Sequence, residues 1–203
     1  MAIVSMRSKK RILEISISAL LCSTAYLMQN LVLNQFGIHG STCNLPLTLT
    51  IVWGLVFGSS MPTLTNTELR RRSLGEIFSR QLASGSHSGF LIGWFFSFLY
   101  FSVIPVYPLS FPLIGWTAGY FCLRGLGQGN LLAIPMTFIL TIFAEGVMSW
   151  ELYAMGRSGV FEHLNAFILP EALLNAIVAP FIYFPMRRWY DLVEGQQSSF
   201  PID

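Results

Sequence analysis

The sequence predicts an all-α, polytopic membrane protein: a compact bundle of about six transmembrane helices with the N- and C-termini in the cytoplasm. Three observations predict it. Of 203 residues, 53% are hydrophobic and only 11% charged, less than half the charged share of an ordinary soluble domain. The apolar residues gather into six runs. When each run is made to cross a bilayer, the basic residues collect on one side.

A helical span needs roughly 20 mostly apolar residues. The runs that approach this are Ile12–Val32, Leu45–Met61, Ser88–Val106, Leu109–Leu123, Leu131–Trp150 and Leu169–Met186. The first follows Arg7, Lys9, Lys10 and Arg11, as a signal peptide would. Its length and the lack of a small-residue cleavage pattern mark it as a retained helix. The second and fourth are short, and Pro105, Pro108 and Pro112 crowd the start of the fourth. Proline lacks a backbone donor, so it interrupts helices unless neighbouring groups take the freed carbonyls. With six crossings and the N-terminus inside, eleven of the 12 Lys and Arg lie on the cytoplasmic side and only Arg157 lies outside. That is the bias cytoplasmic loops carry. If the fourth run did not cross, Arg124, Arg187 and Arg188 would fall outside. The whole chain, 1–203, thus reads as a single integral membrane domain.

The longest loop, about 62–87, is cytoplasmic and basic. In "ELRRRSLGEIFSRQL" the arginines, Arg70, Arg71 and Arg72 among them, stand beside apolar residues at helical spacing. Either the loop is solvated or it lies on anionic lipid as an amphipathic helix. Arg187 and Arg188, next to Trp189 and Tyr190, form a second basic and aromatic anchor at the inner surface.

Small residues mark the third run. Gly85, Gly89, Gly93 and Ser97 recur every four residues in "GSHSGFLIGWFFS" and so share one helix face. Such a stripe lets another helix come close, within this chain or in a partner. The last run carries Pro170, Glu171, Asn175, Pro180 and Pro185. Proline suits a first helical turn, and an acid there meets the positive end of the helix dipole, so Glu171 is expected to mark a helix start near the outer surface. Asn175 lies one turn deeper on the same face. A buried amide needs partners, and Pro180 frees a carbonyl deeper still, so this face should turn toward protein. Glu145, in "FAEGVMSW", is a possible intramembrane polar site or an acid shallow enough to meet outer water.

The remaining patterns exclude more than they suggest. A net charge of +2 is too small to point to nucleic acid. His39, His87, His163 and the three cysteines show no metal spacing. There is no nucleophile elbow or metalloprotease helix, and the glycines of "RGLGQGN" do not form a dinucleotide fingerprint. No catalytic residue, metal, cofactor or small-molecule substrate is therefore expected.

Two motifs carry a family resemblance. "PEALLNAIVAPFIYFPMRRW" is similar to the closing motif of the rod shape-determining MreD family: a proline, an asparagine five residues on, a proline five further, then a basic and aromatic end. "SGFLIGW" and "FAEGVMSW" resemble the glycine-bearing third helix and penultimate span, as in cyanobacterial-like members. The resemblance covers roughly residues 45–190. Members often carry an acid where this chain has Ser97, and Pro-Asp before the second span where this chain has "NLP". The resemblance implies a non-catalytic, multi-pass protein of the bacterial inner membrane. It would belong to the cell-elongation machinery and associate with an MreC-like bitopic protein, linking the cytoskeletal filament to peptidoglycan synthases. A substrate-binding membrane subunit of an energy-coupling-factor vitamin transporter is the alternative, since it has similar length and hydropathy. Glu145, Glu171 and Asn175 would then line an outward-facing pocket.

Overall fold

The computed structural model describes residues 16, 19–31, 33–35, 37–38, 41–58, 87–100, 108–121, 129–157, 159–160 and 164–195. Gly85, the loop arginines Arg70, Arg71 and Arg72, and Cys122 lie outside the described residues. The described chain is mostly helical: α1 (residues 19–31), α2 (Leu45–Phe57), α3 (His87–Tyr100), α4 (Ser110–Tyr120), α5 (Gly129–Ala154) and α6 (Leu164–Gly195). A 3-10 turn at Leu33–Gln35 and two short antiparallel strands, β1 (Gly37–Ile38) and β2 (Ser41–Thr42), link α1 to α2.

α2 is the centre. Asn44 caps it by accepting the Leu47 N–H at 3.2 Å. Pro46 sits in the first turn, where a missing N–H costs nothing. Every residue from Pro46 to Val56 is buried, as expected of a helix apolar on all sides. Thr48 and Thr50 return their hydroxyls to the carbonyls of Asn44 and Pro46, each at 2.9 Å, so neither needs an outside partner. α3, α4, α5 and α6 all pack against α2.

The helices alternate in direction between two poles. At the upper pole α1 and α5 end while α2, α4 and α6 begin: Gln29 bonds Leu45, Asn175 bonds Asn44, and Glu151 bonds Leu109. α5 closes there with Gly156 at φ +85. The Gly156 and Arg157 N–H groups donate back to Tyr153 and Leu152 at 2.9 and 3.1 Å, a glycine C-cap that absorbs the last carbonyls. At the lower pole Trp53, Phe57, Trp189 and Tyr190 form one aromatic cluster. Phe57 and Trp189 meet edge to face at 5.4 Å, and Phe57 and Tyr190 at 5.7 Å.

α2, α3 and α4 join through glycine. A Cβ at Gly89 would overlap the Gly115 carbonyl, one at Gly93 the Phe111 carbonyl, and one at Gly58 the backbone of Gly119. The stripe left open between an internal and an external seam therefore lies inside the bundle at Gly89 and Gly93, where α3 meets α4 backbone to backbone. Ser97 continues that face and is buried.

Two expectations are corrected. α6 begins at Leu164, so Pro170 and Glu171 stand well inside it and do not open it. A proline this early removes only the bond to the carbonyl of Ala166, and the apolar residues before it carry the helix upward. Pro185 also lies inside α6, which runs on to Gly195. Of the described helices, only α5 and α6 are long and apolar enough to cross a membrane. α4, with 11 residues, spans about 16 Å against a hydrocarbon core of about 30 Å.

The outer faces are apolar. Leu27 and Leu31 on α1, Leu91, Trp94 and Phe98 on α3, Leu131, Ile139 and Phe143 on α5, and Leu173, Ile177 and Phe181 on α6 are all exposed. Scattered exposed leucines are ordinary, whereas apolar surface on this many helices signals contact with lipid or protein.

Candidate functional site

The polar side chains that hydropathy leaves scattered come together beneath the upper pole. On α5, Thr137, Thr141, Glu145 and Ser149 follow each other at four-residue intervals and share one face. All four are buried. On α6, Asn175 and Glu171 occupy the facing surface. The Asn175 amide donates to the Thr141 hydroxyl at 3.4 Å. Because the helices are antiparallel, one turn upward from that contact sets Glu145 against Glu171.

Asn175 is fully buried and is the knot of the site. Its carbonyl oxygen accepts the backbone N–H of Asn44 at 2.8 Å, while its amide serves α5. One side chain thus ties the entry of α2 to both long helices. The Glu171 carboxyl faces the side chains of Asn44, Glu145 and Asn175, and its Oε1 is buried without a hydrogen-bond partner. Glu145 is 5% exposed, so it does not sit in outer water; its carboxyl meets Glu171. Sequence spacing offers no paired intramembrane acids; the fold makes this pair.

Cys43, just before α2, borders the cluster. Burial pushes its thiol up to about 11, with the nearby Glu171 charge adding and a hydrogen bond with Thr48 opposing. It behaves as a small buried residue, as does Cys22.

Two residues that the sequence reading passes over complete the pole. Glu151, 3% exposed, points one oxygen at the start of α4 and accepts the N–H groups of Leu109 and Ser110 at 2.8 and 3.1 Å. α4 has no cap from its own first residue, and an acid at a helix N-terminus both fills orphan donors and matches the dipole. Gln29, 6% exposed, accepts the Leu45 N–H at 2.8 Å and donates to Asn34 at 2.8 Å. The signals were a polar Gln29 inside the first apolar run, an acid just past the end of the fifth, and a start of α4 without a capping acceptor of its own.

Among the other expected residues, Pro180 is half-buried in α6 one turn below Ala176. Arg187 and Arg188 are at the lower pole, away from the cluster. Arg187 pairs with Asp191 at 3.2 Å, and the Arg188 guanidinium lies over the Phe184 ring at 5.1 Å. Among the described residues no group of three or more His, Cys, Asp and Glu has metal-binding geometry. A groove of about 650 Å³ lies between α3, α4 and α5, lined by Phe90, Leu109, Pro112, Leu113, Trp116, Val147 and Trp150. It includes none of the three polar residues that a vitamin pocket would require.

No protein-family model matches the sequence, no curated protein matches it, and no solved structure matches its fold.

Proposed function

We propose that this chain is a non-catalytic, multi-pass scaffold of the bacterial inner membrane. It would serve the rod-shape machinery between the cytoskeletal filament and peptidoglycan synthesis and engage an MreC-like bitopic protein. In this reading six helices cross the membrane with both ends in the cytoplasm. The upper pole is external and carries Arg157; the lower pole is cytoplasmic and carries Arg187, Arg188, Trp189 and Tyr190. The alternating helix directions and the apolar outer faces support that placement. Short helices such as α4 are tolerable at membrane depth when protein surrounds them.

The observation that carries the reading is the position of Asn175. It is the central residue of the proline–asparagine–proline motif on which the family resemblance rests, and it is spent on holding three elements together. Glu145 and Glu171 likewise face each other between α5 and α6, with Glu145 buried, which supports a packed scaffold over a solute pocket.

The test is crosslinking in native membranes, mild-detergent purification of the tagged chain, and mass spectrometry of the proteins recovered. MreC-like and wall-synthase proteins are expected. Asn175→Leu should orphan the Asn44 N–H and destabilise the upper pole by about 2 kcal/mol, reducing that recovery and rounding the cells. Recovery of an ATPase pair and a coupling subunit without wall proteins would refute the scaffold and favour the transporter.

A further inference from the structure

We propose that α5 and α6 bind one water molecule between the Thr137 hydroxyl and the carbonyl that Pro180 frees on Ala176, and that this water carries the polar seam of the upper pole down to the middle of the bundle. Two unmatched groups call for it. Thr137 is fully buried, and its Oγ1 has no hydrogen-bond partner. Pro180 lies inside α6 and has no N–H, so the Ala176 carbonyl four residues earlier loses its helical donor. Lipid offers no replacement for either bond. The register brings the two groups together. Thr141 and Asn175 meet at 3.4 Å across the antiparallel pair, so one turn lower Thr137 stands at the level of Ala179. A helical carbonyl points toward the residues that follow it, which sets the Ala176 oxygen close to that same level. Ala176 lies on the buried face of α6, with Ala172, Ala179 and Tyr183.

The Ala176 oxygen is outside the direct reach of Thr137, since Thr137 Oγ1 bonds to nothing. A water spans such a gap. The buried α6 residues at this level, Ala176 and Ala179, are alanines, so no long side chain from α6 fills the seam there. Buried waters make about three hydrogen bonds, to polar groups that otherwise lack partners. Thr141 completes the set. It stands one turn above Thr137 on the same face of α5, its oxygen accepts from Asn175, and a hydroxyl that accepts still has its own hydrogen to give. The water thus accepts from Thr137 and Thr141 and donates to the Ala176 oxygen. The bonds then follow one another in a single direction: the Asn44 N–H donates to Asn175, Asn175 to Thr141, Thr141 to the water, and the water to Ala176. The gap that Pro180 leaves in the ladder of α6 is bridged through α5.

A crystal structure of the full chain grown in lipid, at a resolution that shows ordered water, tests the site directly. A peak within hydrogen-bond distance of both Thr137 Oγ1 and the Ala176 oxygen supports the proposal. A direct bond between those two atoms, or no peak between them, overturns it. A double-mutant cycle on unfolding in mixed micelles gives an independent reading. In Thr137→Val the water loses a donor and leaves, and the Ala176 carbonyl is orphaned. In Pro180→Ala the new N–H takes that carbonyl, and the water loses its acceptor. Thr137→Val should therefore shift the unfolding equilibrium about fivefold more in the wild type than beside Pro180→Ala, the net worth of one hydrogen bond. Equal shifts in the two backgrounds overturn the proposal. If a variant does not fold, the wild-type structure decides alone.

Discussion

The glycine seam between α2 and α4 makes the sharpest prediction. Gly54 lies midway along α2, and a Cβ placed there would stand 2.7 Å from the Ala118 Cβ, 2.7 Å from the Gly119 nitrogen and 2.9 Å from the Gly115 oxygen. Ordinary contact begins near 3.4 Å, so Gly54→Ala must push α2 and α4 apart by roughly 0.7 Å, since two of the three obstructing atoms are backbone and cannot rotate away. α2 cannot retreat, because it is packed on its other sides by α3, α5 and α6. Overpacking of this kind costs about 1–3 kcal/mol, while replacing glycine by alanine in a helix returns about 1 kcal/mol. Gly146 on α5 isolates the two effects: a Cβ there meets nothing within 4 Å, so Gly146→Ala should be neutral or slightly stabilising. The two variants share the propensity gain, and their difference, about 2 kcal/mol, is the clash. Unfolding in mixed micelles by SDS titration, followed by circular dichroism, measures it. If Gly54→Ala unfolds within about 0.5 kcal/mol of Gly146→Ala, the backbone-to-backbone seam is misplaced.

Two further predictions concern the upper pole. Glu151→Ala should leave the Leu109 and Ser110 N–H groups without acceptor and cost about 1–2 kcal/mol, whereas Glu151→Gln keeps the accepting oxygen and should lose markedly less; the same SDS titration separates them. Cys43 should resist maleimide in the folded protein. A thiol moved from 9.0 to about 11 has roughly a hundredfold less thiolate near neutral pH, so labelling should be slow, accelerate as pH rises toward 11, and become fast on unfolding. Mass spectrometry of the labelled Cys43 peptide follows the rate.

Hydropathy alone located the helices well. The run read as Leu45–Met61 contains α2, Ser88–Val106 overlaps α3, and Leu131–Trp150 lies within α5. This works because lipid-facing and buried positions are both apolar, so composition marks an element without its period. The same uniformity hides which face is which: α6 exposes Phe181 and buries Tyr183 two residues on, and both are aromatic, so residue type does not tell the faces apart. Asn175 was legible as a residue in need of partners, but its partners, Asn44 and Thr141, lie 131 and 34 positions away. The glycine stripe was legible on α3; its counterpart is the α4 backbone at Phe111 and Gly115, in a short run that has Pro112 in its first turn and no four-member stripe of its own. Helix ends were the least legible, since Pro170 is permitted inside α6 as readily as at its start.

The caps of the upper pole bear on the order in which this chain can be built. α2 is emitted from the ribosome long before α6, yet the Asn44 N–H has no acceptor until Asn175 arrives 131 residues later. α4 waits in the same way for Glu151, 42 residues on. Until then each leaves orphan amides that seek water or an insertion factor, since lipid offers no acceptor. Assembly is therefore completed from the C-terminal end, and a chain cut short before α6 keeps an unclosed upper pole that quality-control proteases would be expected to recognise.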